Sequence, residues 1–222
     1  MIMTTTTLRI LIADDHDVMR EGTRALIERQ PGWEVCGVAG TGREAVAQAL
    51  LLQPNIVIMD MSMPELNGLD AAIQIKRRLP GTEILIFTAH QTDELIREVF
   101  EAGAKSFIFK SEAHQFLIDA IRSLSEHKPF FTTQVSEVLF AEMLNRSGAT
   151  PPGTQTGKRL TLREREIVQL LAEGSSNKKV ASALGISIRT AETHRASVLR
   201  KLNLDSLASL VRYAIRNKII EA

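Results

Sequence analysis

The chain reads as two folded units: a doubly wound α/β domain on a five-stranded parallel sheet, then a small all-α domain. Three observations predict this. Short apolar runs alternate with helix-length amphipathic stretches through residue 126, the pattern of βα units. A stretch from Ser147 to Gly157, rich in proline, glycine and threonine, then carries no apolar periodicity and reads as a tether. From Leu160 onward four short helical patterns follow with no strand among them.

In order, the apolar runs are Leu8 to Ala13, Trp33 to Ala39, Ile56 to Asp60, Glu83 to Thr88 and Lys105 to Lys110. Runs such as Ile56 to Met59 and Ile84 to Phe87 are apolar at every position, so their sheet is covered on both faces. Between and after them lie helical patterns over Val18 to Glu28, Arg43 to Leu52, Leu69 to Arg78, Leu95 to Ala102 and Ala113 to Ser125. Pro31-Gly32, Gln53-Pro54-Asn55, Pro80-Gly81 and Gly103 punctuate the helix ends. Parallel pairing with right-handed crossovers gives the (βα)5 sheet. The expected boundaries are residues 1–128 for this domain, 129–157 for a linker with a helix around 133–146, and 158–222 for the helical domain.

Composition narrows the function class. No apolar run approaches the roughly 20 residues that span a bilayer. The threonine-rich start lacks the basic segment of an export signal, and the one cysteine, Cys36, has no intrachain partner. A cytoplasmic chain without membrane contact is expected. The net charge of +1 hides an asymmetry: residues 158–222 carry 13 Lys+Arg against 6 Asp+Glu, an excess of +7, while residues 1–157 carry 14 against 20, or −6. A basic second unit makes nucleic acid its first candidate partner.

In a doubly wound sheet, ligands sit at the carboxyl ends of the strands. The first strand ends in Asp14-Asp15, the third in Asp60, the fourth in Thr88-Ala89 and the fifth in Lys110-Ser111. Three carboxylates converging on one edge repel each other unless a cation sits among them, and an all-oxygen set favours Mg²⁺. An aspartate beside Mg²⁺ can attack a phosphoryl group, a lysine ammonium can neutralise the product, and a threonine hydroxyl can bond a phosphoryl oxygen. The set reads as a phospho-acceptor site. Asp17 reads as a helix-start or solvated turn residue, Pro64 and Gly68 as turn formers, Cys36 as a small core residue, and His16 as a surface residue beside the acids.

The segments Leu11 to His16, Met59 to Gly68, Phe87-Thr88-Ala89 and Phe107 to Lys110 resemble the receiver domain of two-component response regulators, in order and with that family's spacing. The resemblance implies that a sensor histidine kinase phosphorylates Asp60. It also implies that Asp15 and Asp60 bind Mg²⁺ directly, Asp14 through water and Ser62 through its main-chain carbonyl, with Thr88 and Lys110 on the phosphoryl group. Thr88 and Phe107 take the family's switch positions. Phe107 stands where tyrosine is common, and it keeps the ring that moves inward but lacks the hydroxyl. Ser62 and His90 occupy positions that influence phosphate loss. An aspartyl phosphatase, the enzymatic alternative, wants a second acid two residues after the nucleophile; Ser62 stands there, so no turnover beyond self-dephosphorylation is expected.

In the basic unit, Thr161 followed by Glu164 is capping-box spacing for a helix reaching Ala172. Asn177 can cap a helix over Lys178 to Leu184, Ser187 one reaching Leu202, and Asp205 one over Ser206 to Asn217. The middle two, joined through Gly185, have helix-turn-helix spacing. Leu160 to Val168, Gly174 to Ala181, Thr190 to His194 and Lys201 to Leu204 resemble the LuxR-type DNA-binding domain, with Ala191 where valine is usual. The resemblance puts Glu192, Thr193 and Ala196 toward base edges; Lys178, Lys179, Arg189, His194, Arg195, Arg200 and Lys201 are the candidates for phosphate contact. Glu192 either accepts from a cytosine amino group or pairs with Arg189 or Arg195. Together the units resemble NarL/FixJ-type response regulators. The expected function is a transcriptional regulator that binds double-stranded DNA as a homodimer once Asp60 is phosphorylated.

Overall fold

Alternating apolar and amphipathic segments fold into a parallel sheet with helices on both faces in the computed structural model, which describes residues 7–89, 93–101, 104–147, 160–217 and 219–220. Residues 148–159, which take in all of the expected tether but Ser147, and His90 lie outside the described residues. The strands are β1 (Leu8–Ala13), β2 (Trp33–Ala39), β3 (Ile56–Met59), β4 (Glu83–Thr88), β5 (Ser106–Phe109) and β6 (Phe130–Phe131). They lie in the order β2-β1-β3-β4-β5-β6, every pair parallel. The strand order reverses between β1 and β3, so their carboxyl ends open a crevice where ligands of such sheets bind.

Helices α1 (Asp17–Glu28), α2 (Gly42–Leu52), α3 (Gly68–Arg78), α4 (Asp93–Glu101), α5 (Ala113–Ser125) and α6 (Thr133–Ser147) cover the sheet. One core layer, with Leu11, Val57, Ile86 and Phe107, packs under α2, α3, α4 and α6; the other, with Ile12, Ile58, Phe87 and Ile108, packs under α1 and α5. Strand residues alternate between the two layers as the period of two requires. A register shift between Ile10 and Leu11 leaves Cys36 as an extra residue in β2, where its thiol donates to the Ile10 carbonyl at 3.4 Å.

The sheet carries one strand more than the five expected. Phe130 and Phe131 pair with Ser106 and Phe107, and the Ser106 hydroxyl donates to the Phe130 carbonyl at 3.0 Å. Two residues are too few to show an alternation, so the sequence gives this strand no periodic signature. From β6 the chain enters α6, the linker helix, whose Val135 and Leu139 join the core as it packs on α4.

The basic unit consists of α7 (Leu162–Ala172), α8 (Asn177–Leu184), α9 (Ile188–Leu202) and α10 (Leu207–Arg216) around Ile167, Val180, Ala191, Val198 and Leu210. Thr161 and Glu164 form the expected capping box, and Ser187 caps α9. At α8 and α10 the caps are Ser176 and Ser206, each one residue away from the expected Asn177 and Asp205. A serine hydroxyl reaches its N3 amide as well as an aspartate does. Gly185 turns from α8 to α9 at a φ of 63°, a left-handed conformation that suits glycine.

At the end of the sheet remote from the crevice, the buried carboxylate of Glu83 meets Lys76 Nζ at 3.1 Å, His127 Nδ1 at 3.0 Å and Lys105 Nζ at 3.9 Å. Burial alone would raise its pKa, but the hydrogen bonds from His127 and Lys76 and the charges of Lys76 and Lys105 outweigh burial and hold it below the usual glutamate value. The stabilisation is present above the ordinary carboxylate pKa and lost as pH falls through the lowered one. Glu83→Gln is expected to cost about 2 kcal/mol at pH 7, with the gap to wild type closing below about pH 4; denaturant melts at several pH values read both.

Candidate functional site

β1, β3 and β5 each run out into the crevice with a charged residue. Asp14 and Asp60 are almost wholly buried, with 1% and 2% of their surface exposed, and Thr88 at the end of β4 is fully buried beside them. The Lys110 ammonium, one residue past β5, stands 2.7 Å from Asp14 Oδ2 and 2.7 Å from Asp60 Oδ2. Asp60 Oδ1 accepts from the Met61 amide at 2.7 Å. Asp15 lies toward the rim, its Oδ1 2.6 Å from His16 Nδ1. Oxygens of Asp14, Asp15 and Asp60 and a ring nitrogen of His16 lie within 4.8 Å of one another.

Burial pushes the Asp60 carboxyl up from the usual aspartate range, and Lys110 restrains that rise. Burial also works against the Lys110 ammonium, but Asp60 and Asp14 outweigh it and raise the lysine pKa. Three carboxylates against one ammonium leave two formal negative charges in a confined crevice, the balance that a divalent cation closes. The acidic pocket therefore fits a metal ion, and its hard oxygen donors fit one that keeps part of its water.

The loop after Asp60 is shaped by close approach. A Cβ on Gly68, the first residue of α3, would lie 1.8 Å from the Asp60 carbonyl oxygen, and one on Gly42, the first of α2, would lie 1.8 Å from that of Leu66. Gly68 was expected as a turn former; its φ is not in the left-handed region, and contact with the Asp60 carbonyl is what excludes a side chain. The left-handed residue of this loop is Glu65, with a φ of 67°. Gly68→Ala is expected to destabilise the fold by about 2–3 kcal/mol, the scale of overpacking, and to weaken the pocket's hold on a divalent cation by displacing Asp60; a thermal melt and a calorimetric titration read the two effects separately.

Phe107 is buried to 1% exposure and packs edge-on against Phe109, with ring centroids 5.2 Å apart. The ring expected to move inward is thus already inward, under α4 and α6. Asp17 is exposed and pairs with Arg20 on α1. Two further residues at the site, Asn67 and Gln169, carry no signal of their role in the sequence. Asn67 caps α3, and Gln169 of α7 reaches the Asp60 loop from the other unit. Both look like ordinary polar helix residues in sequence.

On α9, Glu192, Thr193 and Ala196 are exposed and Ala191 is buried in the core, as expected. Lys178, Lys179, Arg189 and Arg200 are exposed, whereas His194 and Arg195 are half-buried. Lys201 is 2.7 Å from Glu164, so its charge already supports the α7 cap. Glu192 pairs with no cation among the described residues, so the expected alternative of a bond to Arg189 or Arg195 is not formed.

A buried aspartate with acidic neighbours and a lysine thus stands at the switch point of a doubly wound sheet, in a chain that also carries a helix-turn-helix unit. Residues 10–122 match the response regulator receiver domain, and residues 158–214 match the bacterial regulatory proteins of the luxR family. The chain is 36% identical over 216 residues to the oxygen regulatory protein NreC of Staphylococcus carnosus, covering 96% of this chain and 100% of that one. It is 35% identical over 213 residues to the transcriptional regulatory protein LiaR of Bacillus subtilis, covering 96% and 99%. Among solved structures it is similar to RcsB of Salmonella enterica serovar Typhimurium bound to a promoter in the presence of the phosphomimetic BeF3−, with 25% identity, a TM-score of 0.57, and coverage of 93% of this chain and 98% of that one. The protein belongs to the NarL/FixJ-type response regulators, two-component transcriptional regulators that join a receiver to a LuxR-type DNA-binding domain. Among the described residues, no helix is long and apolar enough to cross a membrane.

Proposed function

We propose that Asp60 accepts a phosphoryl group from a sensor histidine kinase, and that this modification drives dimerisation and binding to promoter DNA. The observation that carries the reading is the buried Asp60 carboxylate, 2.7 Å from Lys110 and flanked by two more acids. An Asp60 carboxylate oxygen attacks phosphorus; the new O–P bond forms as the N–P bond to the kinase imidazole, or the O–P bond to acetate in acetyl phosphate, breaks. Asp15, Asp60 and the Ser62 carbonyl would hold Mg²⁺ directly and Asp14 would hold it through water, and the ion would supply charge neutralisation on the phosphoryl oxygens. Lys110 then pairs with the product, and the Thr88 hydroxyl bonds a phosphoryl oxygen.

Thr88 and Phe107 form the switch. Since Phe107 is already packed on Phe109, its part is to hold or release the α4 and α6 layer rather than to swing in. The functional boundaries are 1–128, 129–157 and 158–222, and the chain works in the cytoplasm. Lys178, Lys179, Arg189, His194, Arg195, Arg200 and Lys201 contact phosphates, while Glu192, Thr193 and Ala196 face base edges. RcsB, bound to a promoter with a phosphomimetic present, supports the link between modification and DNA binding.

Solution mass and promoter affinity, measured with and without beryllofluoride and Mg²⁺, test the reading. Wild type is expected to become dimeric and to bind DNA at least about tenfold tighter, about 1.4 kcal/mol, with a steep loss on adding salt. Asp60→Asn is expected to do neither. Equal responses from wild type and Asp60→Asn would contradict the proposal.

A further inference from the structure

The loop after Asp60 is held from three sides, and one of them belongs to the DNA-binding domain. Gly42 of α2 and Gly68 of α3 abut its main chain from within the receiver. From the other domain comes Gln169, with 1% of its surface exposed. Its Nε2 donates to the Met63 carbonyl at 2.9 Å, and its Oε1 accepts from the Asn67 amide at 2.7 Å. One turn further along α7, Glu173 accepts from the Glu65 amide at 3.2 Å and from Gln169 Nε2 at 2.8 Å. The main chain at residues 63, 65 and 67 is thus bonded to a single helix face, since positions four apart are neighbours there.

The surrounding seam is polar and incompletely paired. Arg165 Nε lies 3.5 Å from Asp70 Oδ2, Arg43 Nη2 lies 3.9 Å from Glu166, and Gln74 donates to Glu166 at 3.1 Å. Asp70 Oδ1, both of those arginine nitrogens and Arg43 Nε are buried without a hydrogen-bond partner among the described residues. Charges buried this way favour a contact that opens readily over one that locks. The seam also leaves Glu192, Thr193 and Ala196 of α9 exposed, so it does not work by covering the recognition helix.

We propose that Gln169 is a positioning residue for the phospho-acceptor: by bonding both ends of the Met63 to Asn67 turn, it holds the loop in its unmodified shape and slows modification of Asp60. The inference rests on the reading of Asp60 as the phospho-acceptor. In the unmodified protein both Asp60 oxygens are engaged, Oδ1 by the Met61 amide and Oδ2 by Lys110. A phosphoryl group added there has to displace one of them. Lys110 is also held by Asp14 at 2.7 Å, so the Met61 side gives, and Met61 begins the segment that Gln169 pins. Coupling of this kind is reciprocal: what docks α7 onto the loop resists the phosphoryl group, and the phosphoryl group loosens α7.

The test uses the full chain and reads acylphosphate formation with acetyl phosphate, together with Mg²⁺ affinity by calorimetry. Gln169→Ala is expected to be modified about tenfold faster and to bind Mg²⁺ more tightly. Glu173→Ala, an exposed position that leaves the core intact, is expected to be modified about threefold faster. A variant that is merely destabilised has less folded protein and is modified more slowly, so acceleration separates the positioning role from a structural one. Wild type and both variants modified at one rate, or the variants more slowly, would overturn this inference while leaving Asp60 as the acceptor. No modification of wild type would instead overturn the reading on which it rests.

Discussion

Everything at the receiver's crevice depends on one ammonium shared by two buried carboxylates. Lys110 stands 2.7 Å from both Asp14 and Asp60, each nearly closed to solvent. Two buried anions side by side without a counter-charge would take up protons and lose the nucleophile. The lysine restrains the rise that burial imposes on Asp60, and the negative charge left over suits the crevice to a metal ion. The parallel sheet makes the contact possible. With strand order β2-β1-β3-β4-β5-β6, the ends of β1, β3 and β5 fall on one edge, and a four-carbon side chain from beyond β5 can reach across β4.

A second constraint acts on the main chain. The loop leaving Asp60 must return at once into α3, and the Gly68 amide donates to the Met61 carbonyl at 2.9 Å. Glycines allow that return because no Cβ fits against the Asp60 and Leu66 carbonyls. A loop this constrained has few ways to deform, so whatever grips its outer turn acts on the phospho-acceptor itself. In this protein the outer turn is gripped by α7. The Asp60 loop and the DNA-binding unit are therefore joined through main-chain groups of the loop, bonded by the Gln169 side chain.

Much of this was legible in the sequence. Fully apolar runs gave the central strands, and the acids, Thr88 and Lys110 announced themselves by standing where those runs end. Ser187 and the Thr161–Glu164 pair marked the starts of α9 and α7 because caps are local chemistry. What escaped notice is what two distant segments create together. Gln169 looks like part of the polar face of an amphipathic helix, and only the docked domains reveal that it is buried. β6 is too short to show a period. The role of Gly68 depends on a carbonyl eight residues away, and a single sequence cannot distinguish that from a turn.

The central claim is that Asp60 is the nucleophile of this crevice. Borohydride reduction of the full chain, after acetyl phosphate and Mg²⁺, converts an aspartyl phosphate to homoserine, and peptide sequencing by mass spectrometry locates it. The account predicts homoserine at position 60 in wild type and none in Asp60→Asn. Homoserine at Asp14 or Asp15 of the wild type, with Asp60 unchanged, would contradict it.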